Sequence, residues 1–354
     1  EEGYNYQYSK KEDYPSFVRF NVSLDSAYGF LLNSSIASDL SLNFALAQMF
    51  AQASAISKNN FDSLFVPLRA VAADIFTQTD VVLKKGVLSD ALRATQTVPF
   101  FYHPIKVDNK YLFDGGVYNN FPIDVMQKDF NPEIIIGSNV STKVFEEYPY
   151  DEDDKLILYM LLDKSDPAKV PENGIYIQPN LRLYTAFDFK YAKSMIDSGY
   201  RQTLRQIDDI KGKIPERKTC ESVAIARNLF NSDARPWIVE DVKFNKFNSK
   251  QRRYFNRVFQ NGKRPLYFSD LKKGYFKLVS EDYFKNVYPS IVYDTTSDAF
   301  NFILSRRPQN NFQIDFGGVI ATRSFSTMFL GLHYYYFNRA LIHSSLNFYA
   351  GSFM

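Results

Sequence analysis

One acidic residue in this sequence is placed where its carboxylate could take a proton from a neighbouring hydroxyl group. Asp114 ends an apolar segment, and Gly115 and Gly116 follow it directly. Because glycine has no side chain, these two residues let another group approach the backbone closely beside the carboxylate. A carboxylate in that position can act as a general base. The alternative is a plain Asp-Gly turn, which is a common connection between two strands.

The segments around Asp114 predict the elements that would position it. Residues 65–74 and 133–141 are apolar runs typical of buried strands. Residues 88–104 predict a short helix that ends in the turn Ala-Thr-Gln-Thr-Val-Pro, residues 94–99, and an Asn-x-Pro sequence follows the two glycines. This order of elements is a far more specific signal than Asp-Gly-Gly alone.

The arrangement resembles the patatin-like phospholipases over roughly residues 1–230. That family has a strand, a helix ending in an Ala-Ser-x-x-x-Pro turn, an Asp-Gly-Gly or Asp-Gly-Ala motif and an Asn-x-Pro sequence, and here Thr95 stands where the turn usually has serine. The resemblance implies an α/β hydrolase domain that cleaves lipid esters with a Ser-Asp dyad. It implies that Asp114 is the catalytic aspartate, that Gly115 and Gly116 support it, and that no cofactor is needed.

The serine nucleophile that the resemblance requires is missing from this sequence. In the family it lies in a Gly-x-Ser-x-Gly elbow, and a glycine-rich loop before it forms the oxyanion hole. Neither Gly-x-Ser-x-Gly nor Gly-x-Gly-x-x-Gly occurs here. Both elements precede this region in the family, so we expect them to be encoded before Glu1 and expect residues 1–354 alone to be inactive. The alternative is an inactive relative that uses the patatin fold as a platform in an outer-membrane assembly or secretion complex.

Composition excludes several other kinds of function. The 354 residues carry 42 basic and 39 acidic side chains, a net charge of +3, and this balance gives no signature of nucleic-acid binding. The single cysteine, Cys220, excludes an intramolecular disulfide and a cysteine-ligated zinc site. Of the three histidines, only His103 lies near Asp114 in sequence, and we expect it to have a structural role in its turn. We therefore expect no metal centre.

Further helices and a strand are expected in the hydrolase domain, which we place at residues 1–230. Apolar residues recur at helical spacing over residues 40–57, and this helix is expected to pack against the sheet, although its apolar face could instead line an acyl pocket. A second helix is predicted over residues 187–210. A strand is predicted over residues 17–24, within a cover formed by residues 1–64.

The pattern changes near residue 236 to that of a small α+β domain. A strand is predicted over residues 237–244, helices over 250–259 and 269–284, and strands over 287–294 and 299–305. This β-α-α-β-β order resembles a POTRA module, the periplasmic domain of outer-membrane assembly and secretion proteins. We place this domain at residues 236–307. The alternative is an unrelated small α+β domain.

The final segment, residues 311–354, predicts antiparallel strands with one apolar face. Strands are expected over residues 312–320, 328–337 and 341–354. Their length, aromatic content and short polar turns are typical of a transmembrane β-barrel. Three strands cannot close a barrel, so further strands would have to complete it. The alternative is a small soluble antiparallel sheet.

These resemblances imply a patatin-like protein with a surface-antigen type barrel. The expected activity is hydrolysis of an ester bond in a lipid, with a phospholipid as the expected substrate. The expected location is the bacterial outer membrane, with the hydrolase domain either periplasmic or exposed at the surface. The expected partners are the lipid, the outer membrane and, under the assembly alternative, other outer-membrane assembly proteins. No nucleic acid is expected.

Overall fold

The computed structural model describes residues 16–22, 30–31, 38–99, 101–141, 166–181, 183–184, 188–259, 266–284, 287–306, 311–320, 325–337 and 341–353. In chain order, the described strands are β1 (Ser16–Val22), β2 (Phe30–Leu31), β3 (Ala70–Asp74), β4 (Thr79–Leu83), β5 (Ile105–Val107), β6 (Lys110–Asp114), β7 (Ile136–Ser138), β8 (Ile175–Ile177), β9 (Val239–Asn245), β10 (Val287–Asp294), β11 (Ala299–Arg306), β12 (Phe312–Ile320), β13 (Phe325–Phe337) and β14 (Leu341–Phe353). The described α-helices are α1 (Leu40–Ile56), α2 (Leu88–Ala94), α3 (Ile123–Phe130), α4 (Ala192–Arg205), α5 (Ile207–Lys213), α6 (Cys220–Ser232), α7 (Ser249–Val258) and α8 (Phe268–Val279).

The sheet that carries Asp114 has the strand order β4-β3-β6-β5, and all of its pairings are antiparallel. The β5–β6 hairpin closes through Asp108 and Asn109, whose φ angles of 46° and 66° are left-handed, as in a type I′ turn. Helix α2 packs on this sheet and α1 packs on α2. The core between them contains Phe61, Ala70, Ala72, Leu83, Leu88, Ala91, Ala94, Ile105 and Leu112.

Two strands predicted around Asp114 are shorter in the structure. The run 65–74 becomes a strand only at β3, because Pro67 has no N–H to give to a strand partner and Val66 before it is exposed. The run 133–141 contributes only β7, which pairs in parallel with β8 in a separate two-stranded sheet. The helix predicted at the start of residues 88–104 is confirmed as α2.

The β-α-α-β-β order predicted after residue 236 is confirmed as β9-α7-α8-β10-β11. The sheet order is β10-β11-β9, with β10 and β11 antiparallel and β11 and β9 parallel. An aromatic core fills the space between this sheet and its helices. Helix α1 enters the same core, where Phe44 stacks on Tyr275 with 5.2 Å between ring centroids. Helix α1 therefore joins the two units, whereas the sequence predicted that it would cover the first sheet.

The remaining sheet has five antiparallel strands in the order β14-β13-β12-β1-β2. The strand predicted at residues 17–24 exists as β1, but it pairs with β12 rather than covering the first sheet. Side chains alternate between two faces along β12–β14. In β12 and β13 one face is buried and includes Asp315, Phe329, His333, Tyr335 and Phe337, whereas the other face of the three strands exposes Phe316, Met328, Tyr334, Tyr336, Ile342, Leu346 and Phe348.

The helix predicted over residues 187–210 is divided into α4 and α5 by Gln206, which has non-helical backbone angles of φ −106° and ψ 6°. The charges agree with two helix ends at this point, because the basic Arg205 lies in the last turn of α4 and the acidic Asp208 and Asp209 lie in the first turn of α5. None of the helices in the described part of the chain has the length and apolar character needed to cross a lipid bilayer.

Candidate active site

Asp114 is fixed through its backbone by two neighbouring elements. It is the last residue of β6 and pairs with Ala72 of β3. Its N–H donates to the carbonyl oxygen of Thr97, in the turn after α2, with an N–O distance of 2.9 Å. The turn and the strand together therefore fix the backbone position from which the Asp114 side chain extends.

The two glycines after Asp114 form a 3-10 turn rather than a strand hairpin. Residues Gly115–Val117 make one such turn, which leads towards α3. A Cβ atom on Gly115 would overlap the carbonyl oxygen of Val71 in β3, so the close approach of these segments requires glycine. The N–H of Gly116 donates to one carboxylate oxygen of Asp114 at 2.8 Å. The Asp-Gly pair therefore holds a carboxylate in place and does not join two strands.

The environment of Asp114 suits a group that accepts and returns a proton near neutral pH. Burial raises the pKa of the Asp114 carboxyl to about 6, and the hydrogen bond from Gly116 opposes this rise. In the described part of the chain, no group donates a hydrogen bond to the second carboxylate oxygen. The carboxyl is mainly ionised at pH 7 and has one oxygen available for another donor.

A buried arginine supports the turn that holds Asp114. The guanidinium of Arg93, in α2, donates to Asp39 at 2.7 Å, to Asn43 at 2.7 Å and to the Thr97 hydroxyl at 2.6 Å. The Arg93 side chain is 0% exposed and that of Asp39 is 5% exposed. Because the Thr97 carbonyl accepts the Asp114 N–H, this network connects the start of α1 to the backbone of the candidate base.

The sequence did not reveal this network. Arg93 stands next to the predicted turn, and this position is the one local signal that it has a special role. Its acidic partner, Asp39, precedes α1 and lies 54 residues away in sequence, so the contact depends on how the two helices pack.

The other residues near the turn have structural contacts. The Thr95 hydroxyl donates to the Leu92 carbonyl at 2.9 Å and so closes the end of α2. The His103 backbone carbonyl accepts from Arg93 at 3.3 Å. Asn119 bonds to Asp80 in β4 and to Asp124 in α3 through its side-chain amide.

The described ranges contain no group of three or more His, Cys, Asp or Glu side chains that could hold a metal ion. Cys220 lies at the exposed start of α6.

Comparison with known proteins is informative for the part of the chain that contains Asp114. Residues 7–126 match the patatin-like phospholipase family. Uncharacterized NTE family proteins of Mycobacterium tuberculosis and Mycobacterium bovis are 35% identical over 66 residues, which is 19% of this chain and 11% of those proteins. A probable lipid hydrolase of Invertebrate iridescent virus 6 is 43% identical over 42 residues, which is 12% of this chain and 14% of that protein.

The matches cover a small part of these relatives, since the chain spans 11% to 14% of their lengths. The matched family segment includes β3, α2, the Thr97 turn, Asp114 and both glycines. Residues 7–126 of this chain therefore lie in a patatin-like phospholipase domain with homologues in the NTE family.

Proposed function

We propose that this chain supplies the general base of a lipid ester hydrolase, and that Asp114 is this base in a Ser-Asp dyad. The observation that carries the proposal is the geometry of Asp114 within the family segment. The carboxylate is fixed by β3, the Thr97 turn and Gly116, and its second oxygen is available. We place the serine nucleophile and the oxyanion loop in residues encoded before Glu1.

The proposed reaction uses Asp114 twice. In acylation, the serine hydroxyl gives its proton to the Asp114 carboxylate while its oxygen attacks the ester carbonyl carbon. Backbone N–H groups of the oxyanion loop stabilise the tetrahedral intermediate, and Asp114 then gives the proton to the departing alcohol. In deacylation, water gives its proton to Asp114 and attacks the acyl-serine, and the serine regains its proton as the fatty acid leaves.

Exposed apolar helix faces support the view that further residues complete the hydrolase domain. Ile196, Tyr200 and Leu204 recur at four-residue intervals along α4 and all are exposed. Ile225 and Leu229 form a similar exposed row on α6. Rows of this kind usually pack against other protein, so we propose that the preceding part of the domain covers them.

The apolar face of β12–β14 supports attachment to the outer membrane. Phe316, Leu330 and Phe348 lie opposite one another in three adjacent strands, and Phe316 and Phe348 are exposed. The opposite face carries polar groups, including Asp315 and His333. An apolar outer face and a partly polar inner face are the pattern of a membrane barrel strand. We propose that this face contacts lipid, with the hydrolase domain in the periplasm or at the surface.

The β9-α7-α8-β10-β11 unit is proposed to be a POTRA-like connector on the basis of its element order and of its position before these strands. The second candidate function, an inactive platform in an outer-membrane assembly or secretion complex, rests on the same order of elements.

A fluorophosphonate probe distinguishes the two functions. The hydrolase proposal predicts that full-length protein is labelled on a serine before Glu1 and that residues 1–354 alone are unlabelled. Absence of labelling in folded full-length protein would favour the platform. Labelling of a serine within residues 1–354 would show that the active site has been misplaced.

A further inference from the structure

A cleft of about 670 Å³ lies between the first sheet and the β9–β11 sheet, away from the Asp114 carboxylate. One wall is the β5–β6 hairpin, which contributes Lys106 and Tyr111. The other wall consists of the ends of β9 and β11 and the start of α7. Asp114 is at the opposite end of β6 from the hairpin turn, so this cleft is a separate place on the molecule.

Positive charge dominates the lining of the cleft. It contains four cationic side chains, from Lys106, Lys246, Arg252 and Arg306, and two acidic ones. In the described ranges, none of the four cations forms an ion pair with a carboxylate. Four cations that line one cleft and form no ion pair with a described carboxylate favour an anionic ligand.

Two of these cations are held in position by neutral neighbours. Arg252 donates from Nε to the Phe247 carbonyl at 3.0 Å, which fixes the guanidinium and leaves its terminal nitrogens for another acceptor. Arg306 lies over the ring of Tyr283, 5.7 Å from its centroid. A guanidinium oriented in this way is suited to bind the oxygens of a phosphate group.

The floor of the cleft provides hydrogen-bonding groups of a different kind. Asp90 of α2 accepts a hydrogen bond from the Tyr288 hydroxyl on Oδ1 at 3.0 Å. The Ser290 hydroxyl lies 3.4 Å from each carboxylate oxygen, so Oδ2 has only this long contact among the described residues. A ligand hydroxyl that reached the floor would supply the missing donor.

We propose that this cleft binds a phosphorylated polyol, with the phosphate among Lys106, Lys246, Arg252 and Arg306 and a hydroxyl group donating to Asp90. The same chemistry occurs in a free sugar or glycerol phosphate and in a phospholipid headgroup with free hydroxyls. The volume is that of a small-molecule site. The proposal does not depend on Asp114 or on hydrolase activity.

Calorimetric titration of the full-length protein with glycerol 3-phosphate, inorganic phosphate and glycerol tests the proposal. We expect glycerol 3-phosphate to bind more tightly than inorganic phosphate, because phosphate alone does not reach Asp90, and we expect no binding of glycerol. Flotation with phosphatidylglycerol or phosphatidylcholine vesicles identifies the source. Binding that requires phosphatidylglycerol indicates a headgroup site, and binding of glycerol 3-phosphate alone indicates a free ligand.

The chain offers matched controls for charge. Lys246→Gln and Arg252→Gln should each weaken binding of glycerol 3-phosphate by about tenfold. Lys243→Gln in β9, three residues before Lys246, and Arg253→Gln, next to Arg252 in α7, remove equal charge outside the cleft and should leave binding unchanged. Equal losses in the cleft and control variants would show non-specific attraction and overturn the proposal, as would no binding by folded wild-type protein.

The Asp90→Asn variant tests the floor of the cleft. It should weaken binding of glycerol 3-phosphate but not of inorganic phosphate, and a melting curve establishes whether the variant is folded. Equal effects on the two ligands in folded protein would remove Asp90 from the site. Because Lys246, Arg252 and their controls are exposed, those variants test the proposal even if Asp90→Asn does not fold.

Discussion

Replacing Arg93 with methionine is expected to destabilise the protein strongly. The substitution removes the hydrogen bonds to Asn43 and Thr97 and leaves the Asp39 carboxylate, whose side chain is 5% exposed, without its cationic partner. Breaking a buried ion pair by removing one member costs about 3–5 kcal/mol, because the remaining charge stays in a poorly solvated place. We expect a loss of that size in the free energy of unfolding.

Urea denaturation followed by circular dichroism measures this loss. The fluorescence of Trp237, which stacks on Phe300 with 5.2 Å between ring centroids, is a second probe and reports on the β9–β11 unit. Since α1 packs into both units, the urea midpoints measured by the two probes should fall together. Replacing both charged residues, Arg93→Met with Asp39→Leu, should restore part of the stability, because no unpaired charge remains.

The control is Arg253→Met, because Arg253 lies on the exposed side of α7 and its replacement should change stability by less than about 0.5 kcal/mol. If Arg93→Met costs no more than this control, the buried network does not support the turn that holds Asp114. A double variant that is less stable than Arg93→Met would also contradict the reasoning.

Three further predictions concern the site and its attachment. Gly115→Ala should destabilise the chain by about 1–3 kcal/mol in thermal melts, because its Cβ would overlap the Val71 carbonyl, whereas Gly199→Ala, which meets no neighbouring atom, should be neutral or stabilising. In full-length protein, kcat/KM for ester hydrolysis should fall about tenfold per pH unit below pH 6. The reason is that burial raises the pKa of Asp114 to about 6 and the protonated carboxyl cannot accept a proton. A pH profile of kcat/KM with its midpoint near pH 4 would contradict this assignment. Cell fractionation should recover the full-length protein with outer-membrane markers, and recovery solely in the soluble fraction would exclude attachment through β12–β14.

Local patterns in the sequence predicted many elements and few of their partners. The β9-α7-α8-β10-β11 order was predictable because each element has its own hydrophobic period. The pairing of β1 with β12 was not, since nearly the whole chain separates them and the pattern of a strand does not specify its neighbour. The place of α1 in two cores was hidden for the same reason, because an apolar helix face does not indicate which surface will cover it.

In the candidate site, too, local features were predictable from the sequence and features that depend on packing were not. Asp114 and its glycines were predictable because motif and local geometry coincide in a few residues. The raised pKa of Asp114 depends on burial by the surrounding elements, and the contact of Arg93 with Asp39 depends on helix packing. The cationic cleft combines a hairpin, a helix and the ends of two strands from distant parts of the sequence.

The Asp114→Asn substitution in full-length protein tests the central claim most directly. The amide keeps the shape of the side chain and an oxygen to accept the Gly116 N–H, but it cannot take a proton from serine. We expect hydrolysis of a short-chain nitrophenyl ester and of phospholipid vesicles to fall by about 10² to 10⁴, with an unchanged melting temperature. A folded Asp114→Asn protein that hydrolyses both substrates at the wild-type rate would contradict the role of Asp114 as the base.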